Sequence, residues 1–129
     1  MALGKMSTPL ARVRGLGAAR SGTDHFWRQR LTAVANVPLT IAFVMIVVGL
    51  LGRNHAYVVQ ILGAPLVAII MLLFIISVTT HMRIGMQVII EDYVHAEPHK
   101  FILVMLNTFF AFAVALTSAF AILMLSFKV

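Results

Sequence analysis

The sequence predicts an all-α integral membrane protein with three transmembrane helices. Of its 129 residues, 61% are hydrophobic and only 11% charged, and mean hydropathy is +1.01. The apolar residues fall in three blocks, at about 31–52, 57–90 and 101–127, each at or above the ~20 residues needed to cross ~30 Å of hydrocarbon. None of the blocks has the polar face that a surface helix of a soluble domain would show. The basic residues supply the orientation: Lys5, Arg12, Arg14, Arg20, Arg28 and Arg30 precede the first block, whereas the first loop carries Arg53 and the carboxyl end Lys128. The amino terminus is therefore expected inside and Val129 outside, with the Glu91 to Lys100 loop inside and the Arg53-Asn-His55 turn outside.

Composition also excludes chemistry. With no cysteine, the chain holds no disulfide, no thiolate-ligated iron–sulfur cluster and no cysteine nucleophile, so any metal must hang on histidine. The net charge of +6 is mostly the topological signal, with a share left for anionic lipid or a soluble partner. Nucleic-acid binding is a poor reading, because the basic residues interleave with Ala, Gly and Leu and lack aromatic stacking platforms. Met1 to Arg30 is basic and weakly apolar, unlike a secretory signal; its arginine content leaves a mitochondrial presequence as an alternative.

In chain order, residues 1–20 read as a basic amino-terminal arm in which Gly4, Pro9, Gly15 and Gly17 weaken any helix, and 21–129 as the three-helix transmembrane domain. Ser21-Gly-Thr-Asp24 offers side-chain oxygens for a helix cap, and His25-Phe-Trp-Arg-Gln-Arg30 an interfacial turn with Trp27 in the headgroup belt. Arg28 and Arg30 are topological anchors or site residues. Within the first span, Pro38 is expected to shape the helix and Asn36 to bond between helices. The second block, read as one helix from Tyr57 to Ile90, would be about 50 Å long. Part of it must then project, with Pro65 bending its outer portion and the inner hydrocarbon boundary falling near Ser77. The third span, with Asn107, Thr108, Thr117, Ser118 and many alanines, suits close helix contact.

The second block ends in a polar cluster, His81-Met-Arg-Ile-Gly-Met-Gln-Val-Ile-Ile-Glu-Asp-Tyr93. Ionisable groups within or beside hydrocarbon are costly unless paired, ligated or led to water, so the cluster is a candidate site. On a helix, His81, Gly85, Val88 and Asp92 fall on one stripe, and Arg83 points nearly opposite. An imidazole one turn from a glycine suits axial ligation of a flat macrocycle, but the pattern alone is weak, and an interhelical hydrogen bond is the commoner role of a lone histidine in a membrane helix. His95 and His99 read as loop residues that do not bind metal, and His55 as solvent-exposed.

The pattern His81-x₃-Gly85-x₆-Asp92-Tyr93-Val94 follows a long apolar helix and is preceded by Asp24-His-Phe-Trp-Arg-Gln-Arg-Leu-Thr-Ala33. It resembles the family of small hydrophobic membrane anchors of succinate dehydrogenase, respiratory complex II, and Gly85 to His95 resembles its alphaproteobacterial form. The resemblance covers most of the chain from Ser21 to the third span. It implies half of a heterodimeric anchor helix bundle, with His81 as one axial ligand of a b-type haem shared with a second membrane anchor of the cytochrome b type. It further implies Tyr93 hydrogen-bonding a ubiquinone carbonyl with Asp92 beside it, and Arg30, with His25 behind it, near the haem propionates or quinone pocket. FAD and iron–sulfur clusters would belong to a flavoprotein and an iron–sulfur partner subunit, and succinate would not be handled in this chain. The expected location is the bacterial inner membrane, with the mitochondrial inner membrane as the alternative. Arg83 and Glu91 are charged where some relatives carry apolar or neutral residues. The rival readings are an anchor of a fumarate reductase or another quinone-linked cytochrome b complex, and a non-redox three-span assembly or transport subunit.

Overall fold

A computed structural model describes residues 8–15 and 22–127. The order is α1 (Pro9–Val13), α2 (Gly22–Leu50), α3 (His55–Leu62), α4 (Pro65–Tyr93) and α5 (Glu97–Phe127), with no strand among the described residues. Three of these helices, α2, α4 and α5, are long and apolar enough to cross a membrane.

The long helices have packing partners that follow from their surfaces. α4 packs against both α2 and α5 and is the central helix, while α3 sits against α5 and α4. Apolar side chains gain little by leaving lipid for a neighbouring helix, so contact depends on close packing and on interhelical hydrogen bonds. Between α4 and α5, Ala68, Ile75 and Ile122 form a buried cluster with Met71, Leu72 and Ala115 around it, and Asn107 Nδ2 donates to the Arg83 carbonyl at 2.9 Å. Between α2 and α4, Phe43 and Phe74 stack with ring centroids 4.6 Å apart.

The second apolar block is two helices rather than one. α3 ends at Leu62, Gly63 caps it, Ala64 is extended, and α4 restarts at Pro65. A proline pushes the residue before it out of the helical region, and its fixed φ and missing N–H suit the first position of a new helix. Pro65 therefore starts α4 and does not bend a longer helix. Gly63 also carries the close approach of α3 to α5: a Cβ there would lie 2.5 Å from the Leu125 carbonyl oxygen.

Measured from Pro65 in place of Tyr57, about 30 Å of helix at ~1.5 Å per residue ends near Gly85, about one turn beyond His81. Gly85 faces Gln29 of α2, so the Arg28 to Arg30 end of α2 stands level with it.

α2 begins at Gly22, within the expected cap, carries His25 to Arg30 in its first turns, and continues through Pro38. Asp24 in its first turn complements the helix dipole; the expected capping contribution of Ser21 lies outside the described residues, as do Gly4, Gly17, Lys128 and Val129. Glu97 opens α5 four residues before the expected span. The arm contains a short helix, α1, despite its glycines, because Pro9 sits at the helix start and Gly15, at φ 64°, follows its end. Gly52, at φ 71°, turns the chain after α2, and Asn54 caps α3 by accepting from the Tyr57 N–H at 2.9 Å.

Candidate functional site

His81 projects from α4 onto α2. Its Nδ1 lies 3.1 Å from Thr32 Oγ1, and one turn earlier on α4 Ser77 Oγ donates to the Thr32 carbonyl at 3.4 Å. Gly85, one turn later, faces the Gln29 amide: a Cβ there would meet Nε2 at 3.5 Å, an ordinary contact. On α2, Gln29, Thr32 and Asn36 are spaced three and four apart and share one face. That face is turned to α4, and it buries two side-chain oxygens without hydrogen-bond partners, Gln29 Oε1 and Asn36 Oδ1. Asn36 consequently makes no interhelical hydrogen bond among the described residues; Asn107 bridges helices instead.

The expected stripe on α4 is divided by its neighbours. His81 and Gly85 are partly covered by α2, whereas Val88 and Asp92 are exposed. Along the helix Asp92 and Tyr93 are about 17 and 18 Å beyond His81. Tyr93 is 78% exposed, and neither side chain makes a hydrogen bond among the described residues. Glu91 is held by Gln87 Nε2 at 2.8 Å, away from the pair that follows it. Arg83 lies on the opposite face and lines a groove between α4 and α5 with Thr79, Thr80, Thr108 and Phe112.

On α2, the Arg30 guanidinium covers the Phe26 ring at 4.2 Å from its centroid, and Phe26 meets Trp27 edge to face. Arg30 and His25 are both exposed near the start of α2. The remaining histidines are dispersed: His55 opens α3, His95 follows α4 and His99 lies in the first turn of α5, all exposed. No group of three or more His, Asp or Glu side chains is assembled to hold a metal ion among the described residues.

Gln29, Thr32 and Ser77 do not stand out in the sequence as parts of the site. A signal for the α2 pair is present all the same: Gln29, Thr32 and Asn36 recur at helical spacing in α2, a pattern that costs stability in hydrocarbon unless the face meets another polar surface.

Long apolar helices, a polar seam buried between two of them and an ionisable cluster at one end define a polytopic membrane subunit with a site at a helix interface. Its sequence relatives sharpen that class. The family described as succinate dehydrogenase/fumarate reductase transmembrane subunit matches residues 4–116. The succinate dehydrogenase hydrophobic membrane anchor subunit of Paracoccus denitrificans is 30% identical over 115 residues, covering 89% of this chain and 88% of the relative. The subunit of the same description from Rickettsia bellii is 28% identical over 66% of this chain and 68% of its own length. The succinate dehydrogenase membrane anchor subunit of Reclinomonas americana is 33% identical over 67% and 75%. No solved structure gives a significant match. The chain belongs to the succinate dehydrogenase/fumarate reductase transmembrane subunit family, as a membrane anchor of succinate dehydrogenase. That membership displaces the non-redox assembly or transport reading and implies a membrane complex with other subunits.

Proposed function

We propose that this chain anchors succinate:ubiquinone oxidoreductase in the bacterial cytoplasmic membrane, amino terminus inside, and helps pass electrons from succinate to ubiquinone. Its partners are a second anchor of the cytochrome b type, an iron–sulfur subunit and a flavoprotein, the last two carrying the clusters and FAD. His81 would hold a haem b together with a histidine of the other anchor. The observation that supports this most is the state of the imidazole: Nδ1 is engaged by Thr32 at 3.1 Å, while no hydrogen bond reaches Nε2 among the described residues. A ring held by one nitrogen with the other free is the arrangement metal-ligating histidines adopt.

When bound, a bis-histidine haem supplies one-electron transfer without an open coordination position. Arg30, on the Phe26 ring near the start of α2, provides a positive charge suited to the propionate carboxylates of such a group, and His25 a weaker one. Reducing a quinone takes two electrons and two protons. Tyr93 donates a hydrogen bond to the quinone carbonyl as negative charge develops there, and Asp92 orders water for proton delivery. Both stand at the exposed end of α4, where water and a partner subunit have access.

Two variants test the reading in the purified complex. His81→Ala should lose or markedly alter the low-spin b-type reduced-minus-oxidised spectrum, and an unchanged spectrum would refute the ligand assignment. Tyr93→Phe should depress quinone reduction while sparing electron transfer from succinate to an artificial dye. Equal loss of both activities would contradict the role of the phenol.

A further inference from the structure

The Thr32 hydroxyl makes three contacts, and together they fix where its proton lies. Its hydroxyl oxygen is 2.7 Å from the Arg28 carbonyl oxygen, 3.1 Å from the Gln29 carbonyl oxygen and 3.1 Å from His81 Nδ1. Two oxygens at 2.7 Å repel unless a hydrogen lies between them, and 2.7 Å is the ordinary O–H···O distance. A threonine hydroxyl has one hydrogen. That hydrogen is committed to the backbone carbonyl one turn back, a contact threonine commonly makes in helices. The Thr32 oxygen is therefore an acceptor toward the imidazole, Nδ1 carries the proton, and Nε2 presents a lone pair.

We propose that Thr32 is a positioning residue for His81: by accepting the Nδ1 proton it selects the Nε2-ligating tautomer and sets the ring's rotation. The inference rests on the reading of His81 as a haem ligand and assigns a role to a residue of the opposing helix. The rotation is set because α4 grips Thr32 twice, with Ser77 Oγ on its carbonyl at 3.4 Å and His81 on its hydroxyl, four residues apart on one face. A slip of either helix breaks both contacts. The accepted hydrogen bond also makes the imidazole a stronger electron donor, which favours the oxidised form of the metal it binds.

The experiment compares Thr32→Val and Thr32→Ser in the complete purified complex, reading haem-to-protein ratio, difference spectrum and reduction potential. Valine keeps the shape and removes the acceptor, so haem affinity should fall about ten- to hundredfold and the retained haem should titrate at a higher potential. Serine restores the hydroxyl and should return both readouts toward wild type. Thr32→Ala, which also lacks the hydroxyl but adds no bulk, is read in place of valine should valine disturb assembly. Full haem content and an unchanged potential in the hydroxyl-free variant would overturn the proposal, as would a serine variant no better than valine. His81→Ala separates the two layers. Haem lost in that variant but untouched in Thr32→Val defeats the positioning role alone, whereas haem retained in His81→Ala defeats the ligand reading beneath it.

Discussion

Replacing Gly63 with alanine tests the break in the second apolar block and the packing it permits. The backbone at Gly63, φ −82° and ψ −8°, is open to any residue, so the substitution carries no conformational strain of its own. The Cβ would stand 2.5 Å from the Leu125 carbonyl oxygen, 3.2 Å from its carbonyl carbon and 3.0 Å from the Val59 carbonyl oxygen. These are backbone atoms on α5 and α3 and cannot rotate away as a side chain would. Relief requires α3 to move off α5, an overpacking penalty of about 1–3 kcal/mol. The assay is the temperature at which half of the purified complex is lost from the monodisperse peak in size-exclusion chromatography. A loss of several degrees is expected for Gly63→Ala. Gly49→Ala is the control: its Cβ meets nothing within 4 Å, and no loss is expected from alanine in the last turn of α2. A Gly63→Ala complex as stable as wild type would refute the close approach, and equal losses in both variants would refute the steric reasoning.

Other substitutions probe the helix interfaces and the site. Asn107→Leu removes the side-chain bond to the Arg83 carbonyl and should cost about 0.6–1.7 kcal/mol, measured by chemical unfolding in mixed micelles; the helix carbonyl keeps its own backbone partner, so a larger loss would point to a different role. Phe74→Ala breaks the stack on Phe43, worth ~0.5–1.5 kcal/mol beyond the area lost, and Phe43→Ala combined with it should cost less than the two singles added. Gly85→Ala meets only the Gln29 amide at 3.5 Å, so the chain should assemble at wild-type yield. An altered haem spectrum in that correctly assembled variant would locate the macrocycle edge against this glycine, and an unaltered one would place it elsewhere.

The spanning helices were legible because hydrocarbon imposes a length and composition that few other environments require, and Leu31 to Leu51 or Phe101 to Phe127 cannot be mistaken for a soluble core. Helix limits were less legible. Apolar composition runs unbroken through Tyr57, Gly63 and Ile90, so hydropathy does not register the interruption, and only the proline rule at Ala64-Pro65 marked it. At α2 the start was legible: side-chain oxygens at Ser21 to Asp24 mark a helix beginning, nothing from His25 to Arg30 breaks a helix, and that run forms the turns preceding the apolar block. In the site, His81 was visible because an imidazole in an apolar helix is conspicuous. Thr32 was not, because a threonine that returns its hydroxyl to its own backbone is cheap in a membrane and leaves no compositional trace. Its importance lies in which residue of α4 it meets, and pairing between helices is not encoded in the spacing of either alone. Asn36 shows the converse, a conspicuous polar residue that makes no bond across the interface among the described residues.

The most direct test is a high-resolution map of the purified complex at the α2–α4 seam. The expected result is iron-centred density at coordination distance from His81 Nε2, with Nδ1 on Thr32 and a second imidazole from the partner anchor on the opposite face of the macrocycle. A map in which Nε2 faces lipid or another side chain, with no porphyrin beside it, would contradict the account.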